Sequence, residues 1–443
     1  MDQPGDTKGS DMRIAVIGSG ISGNSAAWAL SYTHDVVLYE KRMRPGGHSA
    51  TADIDYDGTR LSVDTGFIVY NELNYPNFTA LLDHLGVASE SSDMSFALSA
   101  DNGALEWSGH SLNGLFAQRR NLVSPAFLRM LRDIFRFNKR AVEDLRAGAL
   151  RGQSLGGYLE KEGYSRGFIN DYLLAMGAAI WSTPVAEMHA YPAESFVAFF
   201  ENHRLLSFDR PRWRTVSGGS RNYVNRLLAP LKGRMRLGTT VVEILREDGR
   251  VIVCDTSGHR DVFDHVVLAG HTDQNLAMLA DPSQLEREIL GSIRYRPNEV
   301  YLHRDENLMP RNKRVWASWN YLSDRDGGET RDVTVSYWMN RLQNIHPEKP
   351  LFVTLNPFEA PREDRTFAKY VYDHPQFDAS ALAAQKRLTD IQGIGNTWFC
   401  GAWSGNGFHE DGLKSGLAVA RALGARVPWE APEPPIRYQD AAE

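Results

Sequence analysis

The run Arg13-Ile14-Ala15-Val16-Ile17-Gly18-Ser19-Gly20-Ile21-Ser22-Gly23 constrains this chain more than any other feature, because Val36-Val37-Leu38-Tyr39-Glu40 follows it at the right distance. It reads as an apolar strand, a G-x-G-x-x-G turn, a helix over 24–30 and a second apolar strand that ends in an acid. Gly18 permits the tight turn, Gly20 lets backbone approach a pyrophosphate, and Gly23 lets helix and strand pack closely. The helix start, flanked by Ser19 and Ser22, offers free N–H groups and positive dipole to phosphates. Glu40 stands 22 residues after Gly18 and can accept ribose hydroxyls. The expected fold class is α/β, with a Rossmann-type dinucleotide domain.

After Glu40 the chain runs Lys41-Arg42-Met43-Arg44-Pro45-Gly46-Gly47-His48, a basic Gly-Gly loop where an NAD domain continues straight into a helix. Arg44 is placed to meet a phosphate, and the paired glycines allow close approach or positive φ. This resembles the second flavin motif of the amine oxidase and carotenoid desaturase superfamily, with His48 where that family has Arg. Val63-Asp64-Thr65-Gly66-Phe67-Ile68 is similar to the family's segment beside the isoalloxazine ring. Cys400-Gly401-Ala402-Trp403 and Asp411-Gly412-Leu413-Lys414-Ser415-Gly416 resemble its last motif, although Ala402 replaces the usual acid. Mid-chain, Trp213–Gly219, Val241–Ile244 and the strand ending Leu268-Ala269-Gly270 fit the family's return to the cofactor, with main chain near Val242 at the adenine. The resemblance implies FAD as cofactor.

Motif order interleaves two domains. The expected FAD-binding pieces are 12–75, 210–275 and 390–425; the expected α+β substrate domain is 76–209 and 276–389; 1–11 and 428–443 read as loose ends. The composition, 42% hydrophobic and 23% charged, is that of a soluble globular protein, and two cysteines rule out a disulfide framework. The polar start lacks a signal-peptide core, and no apolar run approaches the roughly 20 residues of a membrane span. A cytoplasmic protein without a metal centre is expected, and a homodimer is left open. Net charge of −6 and the lack of a nucleic-acid signature argue against nucleic acid as a partner.

One segment reverses that charge. Between Ala117 and Arg151 nine Lys and Arg face three acids, interleaved with Phe127, Leu128, Met130, Leu131, Ile134, Phe135 and Phe137. A basic amphipathic helix presenting Arg129, Arg132, Phe135 and Arg136, with Phe127, Phe135 and Phe137 available to dip into the interface, suits an anionic membrane surface, here the inner membrane. A core helix with a solvated basic face is the competing reading.

The interior runs Met176–Pro184, Phe199–His203, Leu308–Pro310, Trp316–Tyr321, Tyr337–Asn340 and Val353–Pro357 together resemble a bacterial group of NAD/FAD-binding proteins. That group is similar to the methyl fatty acid desaturase of furan fatty acid synthesis. The resemblance implies an oxidoreductase that converts a methyl-branched, unsaturated phospholipid acyl chain into a conjugated diene. A flavin amine oxidase and a non-enzymatic scaffold for a lipid methyltransferase are the alternatives. Trp181, Trp319, Asn320, Tyr321, Tyr337 and Trp338 are candidate cavity walls, and His48 or Tyr70 candidate proton acceptors.

Overall fold

In the computed structural model, which describes residues 11–181, 183–207, 211–323 and 334–429, the glycine-rich run opens a five-stranded parallel sheet. Its strands come from distant parts of the chain. Met235–Leu237, Asp35–Glu40, Arg13–Ile17, His265–Leu268 and Thr397–Phe399 lie side by side in that order. Arg13–Ile17 is central and nearly all buried, which is why it reads as an unbroken apolar run rather than an alternating one. The first helix (Ile21–Leu30) is buried along its whole length, and the last helix (His409–Ala422) lies directly on it. That approach needs glycine: a Cβ on Gly416 would overlap the carbonyl oxygen of Ser22, and one on Gly412 would press Ile21 at 2.7 Å. Both termini expected to be loose, 1–10 and 430–443, lie outside the described residues.

A seven-stranded mixed sheet forms the second layer, in the order Thr366–Gln376, Arg294–His303, Phe352–Leu355, Thr334–Trp338, Trp319–Ser323, Phe96–Ala100, Leu105–Ser108. Helices between Leu112 and Asn202 pack on it through Phe137, Phe168, Phe196 and Phe200. A hairpin, Thr51–Tyr56 with Thr59–Asp64, links the two sheets. The buried Asp64 carboxylate ties it down. It accepts from Thr51 Oγ1 at 2.6 Å, from the Ser220 N–H and hydroxyl, and from Gln343 Nε2 at 3.0 Å. Burial raises the Asp64 pKa against the pull of these donors. Among the described residues no helix is long and apolar enough to cross a membrane.

The long helix Pro125–Arg146 corrects one expectation. Phe127 and Phe137 are core residues, 5% and 0% exposed, and only Phe135 of the three phenylalanines faces outward, at 58%. Arg136 stacks its guanidinium over Tyr164 at 3.9 Å and lies near Asp133, so it braces the helix bundle.

Candidate functional site

The first helix begins at Gly20 without a side-chain cap, so its leading N–H groups are not closed off. A Cβ added at Gly20 meets no atom within 4 Å. Its neighbours are crowded by contrast. Gly18 has φ +103° and donates its N–H to Tyr39 O, while a Cβ on Gly23 would overlap Gly18 O. Ala269, at the end of the next strand, closes the other side by donating to Ile17 O. The result is an open hollow over a helix N-terminus, walled by backbone, which suits a pyrophosphate.

The Gly-Gly loop folds back onto this hollow. Gly46 N–H donates to Ser19 O at 2.9 Å, and Gly47, with φ +57°, brings its backbone so near that a Cβ would stand 2.9 Å from Gly20 Cα. Arg44 is partly held by the loop itself. Its guanidinium donates to Ser49 O and Gly47 O, both at 3.0 Å, and so stiffens the loop. Glu40 is buried at the strand end and already accepts from the Ser19 N–H and hydroxyl and from Arg42 N–H. A carboxylate has room for about four acceptor contacts, so one position remains for a ribose hydroxyl. Lys41 turns away to Gln274. Val242 sits at a bulge in the neighbouring hairpin, half exposed.

Past the glycines the loop meets Thr65–Ile68. His48 O accepts from Phe67 N–H at 2.8 Å, and a Cβ on Gly66 would overlap that carbonyl. Thr65 Oγ1 lies 2.8 Å from Tyr372 OH, and Ile68 O accepts from Thr215. Phe67 stacks on His409 at 3.8 Å, and His409 Nε2 lies 2.6 Å from Tyr223 OH, which in turn bonds Ser49. At the C-terminal motif, Gly401 N–H donates to Ser415 Oγ, and Leu413 is fully buried against the first helix's core. Asp411 caps its own helix by accepting from Asn406 and Phe408 N–H.

His48 is the pivot between the two sheets. Its ring lies 5.0 Å from Tyr372 and 5.7 Å from His374, both on the edge strand Thr366–Gln376. Its Nε2 is buried with no hydrogen-bond partner among the described residues. Burial lowers the His48 pKa to about 3 and that of His374 to about 4, and it also lowers His271. All three imidazoles are therefore neutral. Tyr70 is not part of this group. It packs against Phe78 and Tyr75 in the core beneath the first helix. His374 and Tyr372 escape sequence reading, because only the sheet brings residue 374 beside residue 48.

The seven-stranded sheet sorts the expected cavity walls by its pleat. Trp319, Tyr321 and Tyr337 share one face with Val353 and Leu355, as the register Trp319↔Tyr337 and Tyr337↔Val353 dictates. Asn320 and Trp338 point to the opposite face. There Asn320 satisfies Ala317 and Ser336, and Trp338 packs on Trp316. Trp338 and Asn320 therefore do not share a wall with Trp319, Tyr321 and Tyr337. Trp319 and Tyr337 meet edge to face at 5.2 Å and pack against both the helical core and the hairpin core. Trp181 is a core residue held among Tyr191, Phe196 and Phe199.

The arrangement fits a dinucleotide bound over the start of the first helix. The space over Gly20 and the unpartnered His48 Nε2 are the two observations that carry this. Residues 21–317 match the family of flavin-containing amine oxidoreductases. No curated protein matches the chain in sequence. Among solved structures, putrescine oxidase with bound putrescine is 16% identical, covers 93% of this chain and 99% of its own, and has a TM-score of 0.65. The fatty acid isomerase of P. acnes that makes CLA is 17% identical over 94% and 99%, with a TM-score of 0.63. Cyclohexylamine oxidase from Brevibacterium oxydans is 14% identical over 93% and 99%, with a TM-score of 0.65. At these identities the likeness is one of fold.

Proposed function

Because the chain belongs to the flavin-containing amine oxidoreductases, and so is an FAD-dependent oxidoreductase, we propose that it dehydrogenates an unsaturated, methyl-branched acyl chain of a phospholipid to a conjugated diene. The observation that carries this reading is the burial of the His48 ring against Tyr372 and His374, with Tyr372 packed in the same apolar cluster as Val353 and Leu355. His48 and His374 are held uncharged by burial, and the sheet face beyond them offers Trp319, Tyr337, Val353 and Leu355. The burial that keeps these imidazoles neutral also disfavours an ammonium group, whereas an acyl chain brings no charge to desolvate. The fold is also that of a fatty acid isomerase, and the interior motifs resemble the methyl fatty acid desaturase group. In this reading the cofactor domain is 12–75, 210–275 and 390–425, and the substrate domain 76–209 and 276–389.

FAD, when bound, supplies a two-electron acceptor for hydride from an allylic C–H bond. The protein's own task is the second hydrogen. As hydride leaves, the adjacent C–H becomes strongly acidic, so a weak neutral base suffices. His48 Nε2, buried and unpartnered, is that base, and Tyr372 and His374 hold its ring. One C–H is lost as hydride and its neighbour as a proton, leaving a new C=C. Trp319 and Tyr337 line the chain's path.

Anaerobic mixing of the holoprotein with a methyl-branched monoenoyl phospholipid in micelles tests this. Bleaching of the flavin band with the rise of diene absorbance is expected. Bleaching by a primary amine with release of ammonia, and none by lipid, would establish the amine oxidase reading, which the fold of putrescine and cyclohexylamine oxidases favours. No bleaching by either would favour the scaffold.

A further inference from the structure

The long helix Pro125–Arg146 shows solvent a face that an ordinary surface helix does not. Within the stretch 122–135, Leu122 is 50% exposed, Val123 80%, Leu128 44% and Phe135 58%. Leu128, Arg132, Phe135 and Lys139 stand at i, i+4, i+7 and i+11, which places them in one narrow sector of the helix. The buried residues Met130, Phe137 and Ala141 occupy the opposite sector. Leu122 and Val123 extend the apolar surface from the turn that leads into the helix.

The charge around this stripe is positive. Some of the segment's arginines have acid partners nearby: Arg140 with Asp144, Arg146 with Glu201 and Arg151 with Glu194. Arg136 is committed to Tyr164 and Asp133. That leaves Arg129, Arg132 and Lys139 flanking Leu128 and Phe135, with Arg132 only 3.7 Å from the shared Asp133. The chain as a whole carries −6, so this face opposes the rest of the molecule.

We propose that this face, and not the buried phenylalanines, is a docking surface for an anionic phospholipid bilayer. An outward helix stripe is convex and has no groove to seat a peptide. Large apolar side chains ringed by cations match an interface where acyl chains lie under anionic headgroups. Attachment here brings the molecule to the lipid that the proposed substrate reading requires, and the inference rests on that reading for its purpose only.

The test is sedimentation of the full-length holoprotein with phosphatidylglycerol–phosphatidylcholine vesicles and with phosphatidylcholine alone. Binding to the mixed vesicles should exceed binding to phosphatidylcholine at least tenfold and weaken as salt is raised. Leu128→Ser with Phe135→Ser should reduce it at least tenfold, as should Arg129→Glu with Arg132→Glu and Lys139→Glu. The melting temperature of each variant and its bleaching by micellar substrate are read alongside, because Arg132 lies near the buried Asp133, and binding is compared among variants that stay folded. Equal affinity for both vesicle types, or unchanged binding by folded variants, overturns the proposal. So does a dimer in solution that Phe135→Ser splits, which would assign the face to a second copy. If micellar lipid bleaches the flavin but vesicles do not bind, only the docking surface falls; if vesicles bind but no lipid bleaches, the substrate reading falls.

Discussion

Gly20→Val separates cofactor binding from folding. Gly20 has φ −67° and ψ 179°, an extended conformation open to any residue, and its added Cβ meets no atom within 4 Å. The fold should therefore lose no more than about 1 kcal/mol, and the apoprotein melting temperature should stay within roughly 4 °C of wild type. The methyl groups, however, enter the hollow over the helix start, where the pyrophosphate must approach its N–H groups. A loss of at least 100-fold in FAD affinity is expected, about 2.8 kcal/mol at 1.4 kcal/mol per tenfold. Thermal scans of apoprotein and titration with FAD read the two effects separately. Wild-type FAD affinity in the variant would refute the placement of the cofactor. An unfolded apoprotein would refute the claim that the hollow is empty of protein atoms.

Gly416→Ala should do the reverse: it forces the last helix off Ser22 O and should cost about 2–3 kcal/mol in chemical denaturation, whereas Gly291→Ala, with open space around it, should be neutral. Trp319→Ala should raise KM for lipid, while Trp338→Ala, on the other face of the pleat, should leave KM unchanged in steady-state assays. Stability should fall with acid. His48, His374 and His409 have folded pKa values of about 3, 4 and 3, lowered by burial, so below about pH 6.5 the unfolded chain takes up protons that the folded chain refuses. Melting temperature should drop from about pH 6.5 toward pH 4, and less steeply in His409→Gln.

The cofactor hollow was legible because its signals are local. A strand, a glycine turn, a helix and an acid within one βαβ unit leave few geometries, and Gly46 and Gly47 add a loop that only glycine can fold against Gly20. What local spacing cannot reveal is where a polar side chain finds its partner. Arg44, Asp411 and most of Glu40 satisfy nearby backbone groups, although each residue type is equally suited to a ligand. His374 and Tyr372 reach His48 through a strand more than 300 residues away in sequence, which no periodicity signals. Trp338 was grouped with Tyr337 by adjacency, and the period-2 pleat separates them. The helix Pro125–Arg146 has two apolar stripes, one for the core and one outward, so composition alone could not assign Phe127, Phe135 and Phe137 to faces.

The central claim is removal of two hydrogens from a methylated acyl chain by a flavoprotein. Mass spectra of phospholipids from cells that make this chain, compared with cells that lack it, test it most directly. A methyl-branched monoenoyl species should shift down by about two mass units, the hydride and the proton lost from adjacent carbons, and the shift should vanish in cells making Gly20→Val. Unchanged acyl masses, together with peroxide and ammonia formed from an amine by the purified protein, would contradict it.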